Sequence, residues 1–132
     1  MSEENVEVVQ RAITALNGRH IDRYLACCTE EVTLRTPMVA FTGVYEGPEG
    51  IRRFFSDVED AAPDFHIDVE RIEALSDKRV FAFLRITATG RVSGIPTGVE
   101  TANVYDFAEG RITRIDIYTD RSEALEAVGL RE

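Results

Sequence analysis

Cysteine is scarce in this 132-residue chain: there are two, Cys27 and Cys28, and they are adjacent. Neighbouring cysteines rarely meet disulfide geometry, and one pair makes no disulfide framework. Histidine is equally scarce. His20 and His66 stand far apart and lack partners at ligand spacing, so no metal is expected. No run of 18 apolar residues is present, and Met1–Asn5 do not open a signal peptide. These absences point to a cytoplasmic, reducing compartment, to buried structural thiols and to no membrane partner. Basic clusters are missing as well. The longest basic step is Arg52-Arg53, and a net charge of -9 repels phosphate backbones and anionic headgroups. Nucleic acid is therefore not an expected partner. No internal repeat, linker or low-complexity segment divides the chain, so residues 1–132 are read as one domain.

What is present suits a folded domain. Hydrophobic residues make up 44% and charged residues 30%, which excludes wholesale disorder. At this length roughly 68% of the unfolded surface is buried on folding, enough for a sizeable core. Val6, Val9, Ile13 and Leu16 recur at helical spacing, and Asn17-Gly18 stops that helix. A short second helix puts Ile21, Tyr24, Leu25 and Cys28 on one face. Glu31–Thr36 alternates as a strand that Pro37 ends. Residues 37–48 read as a loop over something apolar. Gly47-Pro48-Glu49-Gly50 opens a third helix with Ile51, Phe54, Phe55 and Val58 as its stripe. Four strand signals follow: Phe65–Leu75, Arg79–Thr89, Gly98–Phe107 and Arg111–Thr119. Ser122–Val128 closes as a helix. The order α-α-β-α-β-β-β-β-α argues an α+β fold, with helices on one face of an antiparallel sheet.

Several of these segments, in this order, resemble a known superfamily. They are Asn17-Gly18-Arg19-His20-Ile21-Asp22, Glu31-Val32, and the stretch from Gly43-Val44-Tyr45-Glu46 to Gly50-Ile51. Ala88-Thr89-Gly90, Asp106-Phe107-Ala108-Glu109-Gly110-Arg111-Ile112 and Tyr118-Thr119-Asp120 complete the set. The chain resembles the nuclear transport factor two-like fold. The nearer likeness is to its SnoaL-like branch, which includes ketosteroid isomerases, polyketide cyclases and limonene epoxide hydrolases. The resemblance implies a curved sheet wrapped around helices as a cone, with an internal pocket, and a homodimer formed through the outer sheet face. No cofactor is expected.

The resemblance also says where chemistry would sit. The isomerase base precedes the proline that ends the first strand, and that position holds Thr36, a poor proton acceptor near neutral pH. The phenol donor of the first helix falls at Ala12. The second oxyanion donor falls at Asn103, whose amide still donates. The histidine and first aspartate of the cyclase and epoxide hydrolase branches fall at Ile115 and Ile117, while Asp120 is placed to cap the last helix. Period-two alternation sets Ile115, Ile117 and Thr119 on one face and Arg114, Asp116 and Tyr118 on the other. A one-residue shift would reverse the faces and make Asp116 the catalytic candidate. Arg85 breaks the pattern of the long strand, so either both faces are covered or Arg85 enters the cavity. His66 and Asp68, two apart, read as the polar outer face of a half-buried strand.

Three readings remain open. The first is binding of a small apolar ligand, with Tyr24, Thr36, Met38, Phe54, Arg85, Asn103, Tyr105, Ile115 and Ile117 as the contact set. The second is a cofactor-independent isomerase, cyclase, dehydratase or epoxide hydrolase acting on an apolar substrate. The third is a structural dimer, which expects an interior without a cavity of ligand size.

Overall fold

The computed structural model describes residues 2–37, 43–61, 63–87 and 99–129. Helix α1 (Ser2–Asn17) buries Val9, Ala12, Ile13 and Leu16 and exposes Glu3, Glu4 and Arg11, as the helical spacing requires. Its end is held by Arg19, which takes a positive φ of 61°. The Arg19 guanidinium donates to the carbonyls of Leu16, Asn17, Pro63 and Phe65 and to Glu59, at 2.9–3.2 Å. One side chain thus closes the helix and ties it to the segment after α3 (Gly47–Ala61).

Helix α2 (Ile21–Ala26) is short and buries Tyr24. Cys28, expected on its apolar face, instead opens strand β1 (Cys28–Thr36), which begins three residues earlier than its alternation suggests. Both thiols donate to carbonyls four residues back, Cys27 to Arg23 and Cys28 to Tyr24. Part of the segment expected to be a loop is also a strand. Gly43–Glu46 forms β2, paired antiparallel with Thr33–Thr36. Four residues with one buried side chain, Tyr45, are too few to show alternation.

The remaining strands are β3 (His66–Ser76), β4 (Arg79–Thr87), β5 (Val99–Ala108) and β6 (Arg111–Tyr118), and α4 (Arg121–Ala127) follows. Asp120 caps α4 by accepting from the backbone amides of Ser122 and Glu123. The six strands form one curved, unclosed sheet in the order β2-β1-β6-β5-β4-β3. All neighbours are antiparallel except β1 and β6, which run parallel, so the sheet is mixed rather than purely antiparallel.

The sheet is covered on both faces. Its inner face packs against α1, α2 and α3 through Val32, Leu34, Val80, Leu84, Ile112 and Ile115. Each such side chain contributes about 1.5–3 kcal/mol when withdrawn from water. On the outer face a smaller cluster joins Phe81, Ala102 and Val104 to Ala124 and Leu125 of α4. This second cover explains why β4 is apolar on both sides. No helix among the described residues is long and apolar enough to cross a membrane.

Candidate functional site

Strand register brings the site together. On the inner face Tyr105 is paired with Val80 and Ile115, Asn103 with Ala82 and Ile117, and Thr101 with Leu84. Residues 101, 103 and 105 share a face because side chains alternate along a strand. Helices α1, α2 and α3 lower Ala12, Leu16, Tyr24 and Phe54 onto this row. Between them lies a cavity of about 20 Å³. That volume holds about one water molecule.

Among the described residues the cavity wall is apolar apart from four side chains: Thr101, Asn103, Tyr105 and Tyr24. The first three form a chain. Thr101 Oγ1 donates to Asn103 Oδ1 at 3.3 Å, and Asn103 Nδ2 donates to the Tyr105 hydroxyl at 3.0 Å. All three are buried. Tyr24 is buried too, and its ring meets Phe55 edge-on at 5.2 Å. Its hydroxyl has no hydrogen-bond partner among the described residues. Burial pushes the Tyr105 phenol up to about 12, with the Asn103 hydrogen bond pulling the other way. Burial likewise holds Tyr24 well above the usual tyrosine range, aided by Cys28 and Tyr105 nearby. Both phenols therefore stay protonated through the physiological range.

Of the contact set expected from sequence, Tyr24, Phe54, Asn103, Tyr105, Ile115 and Ile117 line this one cavity. Thr36 is buried but lines a different space, an outer groove of about 660 Å³ bounded by β1, β2, β6 and α4. Ile117 borders both spaces. Met38 lies outside the described residues. Arg85 is a correction. It points away from the cavity and donates to its cross-strand neighbour Glu100 at 3.3 Å on the exposed face. Val80, Ala82, Leu84 and Ile86 take the inward positions of β4, so residue 85 must point outward.

The register of β6 likewise puts Ile115 inside and Asp116 outside. The Asp116 carboxylate is nearly buried on the outer face, 2.8 Å from Arg114 Nε and 3.8 Å from Arg35 Nε. A carboxylate held between two guanidiniums on the far side of the sheet has no path to the cavity. His66 and Asp68 face solvent on the edge strand, 3.3 Å apart. Thr101 and Cys28, two residues with polar or ionisable groups near the cavity, were not in the expected contact set. Thr101 belongs to the Asn103–Tyr105 row, and its two-residue spacing from Asn103 was the available signal. Cys28 lies beside both phenols, and burial raises its thiol to about 12.

The SnoaL-like domain family matches residues 9–115. No curated protein matches the chain. Solved structures share the fold at low identity. Bal32a, from a soil-derived mobile gene cassette, is 24% identical with a TM-score of 0.79, the match covering 89% of each chain. TerC, co-crystallized with polyporic acid, is 18% identical with a TM-score of 0.77 over 93% of this chain and 96% of its own. An NTF2-like protein of unknown function from Burkholderia pseudomallei is 20% identical with a TM-score of 0.73 over 98% and 99%. The curved sheet, the helices laid on its inner face and the family match over residues 9–115 agree, and the chain belongs to the SnoaL-like domain family.

Proposed function

We propose that this protein binds a small, mostly apolar molecule inside the cone and carries out no carboxylate- or histidine-based chemistry on it. One observation carries the reading: a buried row of polar side chains, Thr101–Asn103–Tyr105, set in an apolar wall that also includes Tyr24, whose hydroxyl has no partner among the described residues. Polar groups cost free energy in a core that packing alone would make apolar, and such local exceptions gather at binding sites. Residue types support the part of the reading that concerns acid–base chemistry. None of the described lining residues is Asp, Glu or His. The segments 38–42 and 88–98, which join the strands next to the cavity, contain none either, whatever their path. Among structures of this fold, TerC was crystallised with polyporic acid, so the fold admits a small molecule. The reading includes a cytoplasmic homodimer, with the polar alternation of Arg114, Asp116 and Tyr118 on the outer face as the rim of its interface.

A purely structural role is favoured by one observation, the cavity volume of about 20 Å³. A ring-sized ligand requires the walls to part. The two readings separate in a fragment screen on protein carrying ¹³C-labelled isoleucine methyls. Binding predicts shifts at Ile115, Ile117 and Ile86 and none at Ile72. Silence of all cavity methyls across a broad apolar set would sink the binding reading and leave the structural one.

A further inference from the structure

Helix α1 has a face that the cone does not use. Ala12, Ile13 and Leu16 line the cavity, while Glu7, Arg11 and Ala15 border a groove shared with Arg23, Ala26 and Cys27. The groove has a volume of about 660 Å³, within the range of small-molecule sites, and it shares no lining residue with the cone cavity. Ala15 and Cys27 are buried in it, and Glu7, Arg11, His20 and Arg23 are exposed around them. Charge sets this groove apart. Acidic residues outnumber basic ones 24 to 15 in the chain, and seven arginines, Arg79 and Arg114 among them, have a carboxylate partner. Arg11 and Arg23 have none among the described residues. Arg11 lies beside the Cys27 thiol instead. Burial raises that thiol, with Arg11 pulling the other way, so it stays neutral and leaves the guanidinium charge uncompensated. Arg11 and Arg23 against Glu7 leave one net positive charge, with His20 counted as neutral.

We infer that this groove binds a small organic monoanion, a carboxylate held by Arg11 and Arg23 whose short apolar body lies on Ala15, Ala26 and Cys27. Guanidinium groups match a carboxylate in both shape and charge. The small side chains of Ala15, Ala26 and Cys27 leave room for the body and offer it an apolar surface. A cation meets two like charges there. A dianion gains little over a monoanion, because the Glu7 carboxylate stands in the same groove. The site does not depend on binding inside the cone.

Benzoate, benzyl alcohol, benzylammonium and phenyl phosphate test it on the full chain. Each is titrated at mildly alkaline pH and low salt while ¹³C-labelled alanine and isoleucine methyls are followed by NMR. Benzoate is expected to shift Ala15 and Ala26 saturably and to leave Ile115, inside the cone, unmoved. Benzyl alcohol should bind about tenfold more weakly, having lost both charge contacts, and benzylammonium should give no saturable shift. Phenyl phosphate should bind within about threefold of benzoate, since Glu7 offsets its extra charge. Arg11→Gln and Arg23→Gln should each weaken benzoate about fivefold, the upper scale of an exposed charge pair. Glu7→Gln should tighten it about twofold, a gain that a misfolded variant does not give. Arg52→Gln removes an exposed charge of α3 outside the groove and should leave the affinity within about twofold. Silence of Ala15 and Ala26, or a shift at Ile115 in their place, overturns the site. Equal binding of the alcohol overturns the charge assignment, and a loss in Arg52→Gln equal to that in Arg23→Gln shows diffuse attraction and no site. Phenyl phosphate binding more than about tenfold tighter than benzoate overturns the monoanion assignment.

Discussion

Asn17 and Ile67, fifty residues apart in sequence, are joined by two hydrogen bonds: Asn17 Nδ2 donates to the Ile67 carbonyl at 2.9 Å, and the Ile67 amide donates to Asn17 Oδ1 at 2.8 Å. A side-chain amide at the end of α1 thus pairs with the start of an edge strand as a short strand would. Asn17→Ala is expected to lower stability by about 1–3 kcal/mol, because it leaves the Ile67 amide and carbonyl unpaired. Asn17→Asp keeps only the acceptor and should fall between. Urea unfolding midpoints at neutral pH measure both.

Gly50 gives a prediction whose sign is informative. A methyl group at this position would sit 2.7 Å from the Tyr45 carbonyl carbon and 3.1 Å from its Cα. In an open helix, Gly→Ala gains up to about 1 kcal/mol. Here Gly50→Ala should instead cost about 1–3 kcal/mol, since backbone atoms block the methyl. A thermal melt that rises would show that α3 can shift away from β2.

Alkaline pH should weaken the fold. Cys28 and Tyr105 titrate at about 12 in the folded state, against ordinary values of 9.0 and 10.0. A raised value means that the unfolded chain releases its proton first. The stabilisation is complete below pH 9 and is lost as pH climbs toward 12. The Tyr105 share is on the order of 3 kcal/mol, at about 1.4 kcal/mol per pH unit of displacement. Urea midpoints from pH 8 to 11 should stay flat and then fall. Tyr105→Phe should reduce the fall without abolishing it, because Cys28 and Tyr24 remain.

Arg85 and Ile115 separate the outside of the sheet from the inside. Arg85→Ala should change stability by less than about 0.5 kcal/mol, since its pairing with Glu100 is solvent-exposed. It should leave cavity binding within about twofold. Ile115 is 1% exposed, and Ile115→Ala should cost about 2–5 kcal/mol. The enlarged cavity should take bulkier rings than the wild-type protein does. Equal effects from the two substitutions would contradict the register of β4 and β6.

Much of this architecture is legible in local pattern. The apolar stripe of α1 and the parity of Val80, Ala82, Leu84 and Ile86 are both set by the period of a single element. The parity of β6 is enough to turn Ile115 inward, and the same rule places Asn103 beside Tyr105. Strand β2 escaped because four residues carry no period. The direction of Arg85 stayed open because a long apolar strand fits burial on one face or on both, and α4, the cover of the outer face, is distant in sequence. Asn17–Ile67 and the Arg19 contacts escaped for a related reason: each depends on where the chain returns after some fifty residues.

The sheet order also governs how the protein is made. Strand β6 lies between β1 and β5, so residues 111–118 are inserted against a strand translated some eighty residues earlier. Until residues 111–118 are made, the flank of β1 that β6 covers in the folded sheet has no partner, and Leu34 lacks its neighbour Ile115. An open strand flank is a template for wrong partners. Closing so long a loop also delays the final pairing. Arg35 is exposed on β1, and a charge on an open strand is the kind of feature that discourages wrong pairing.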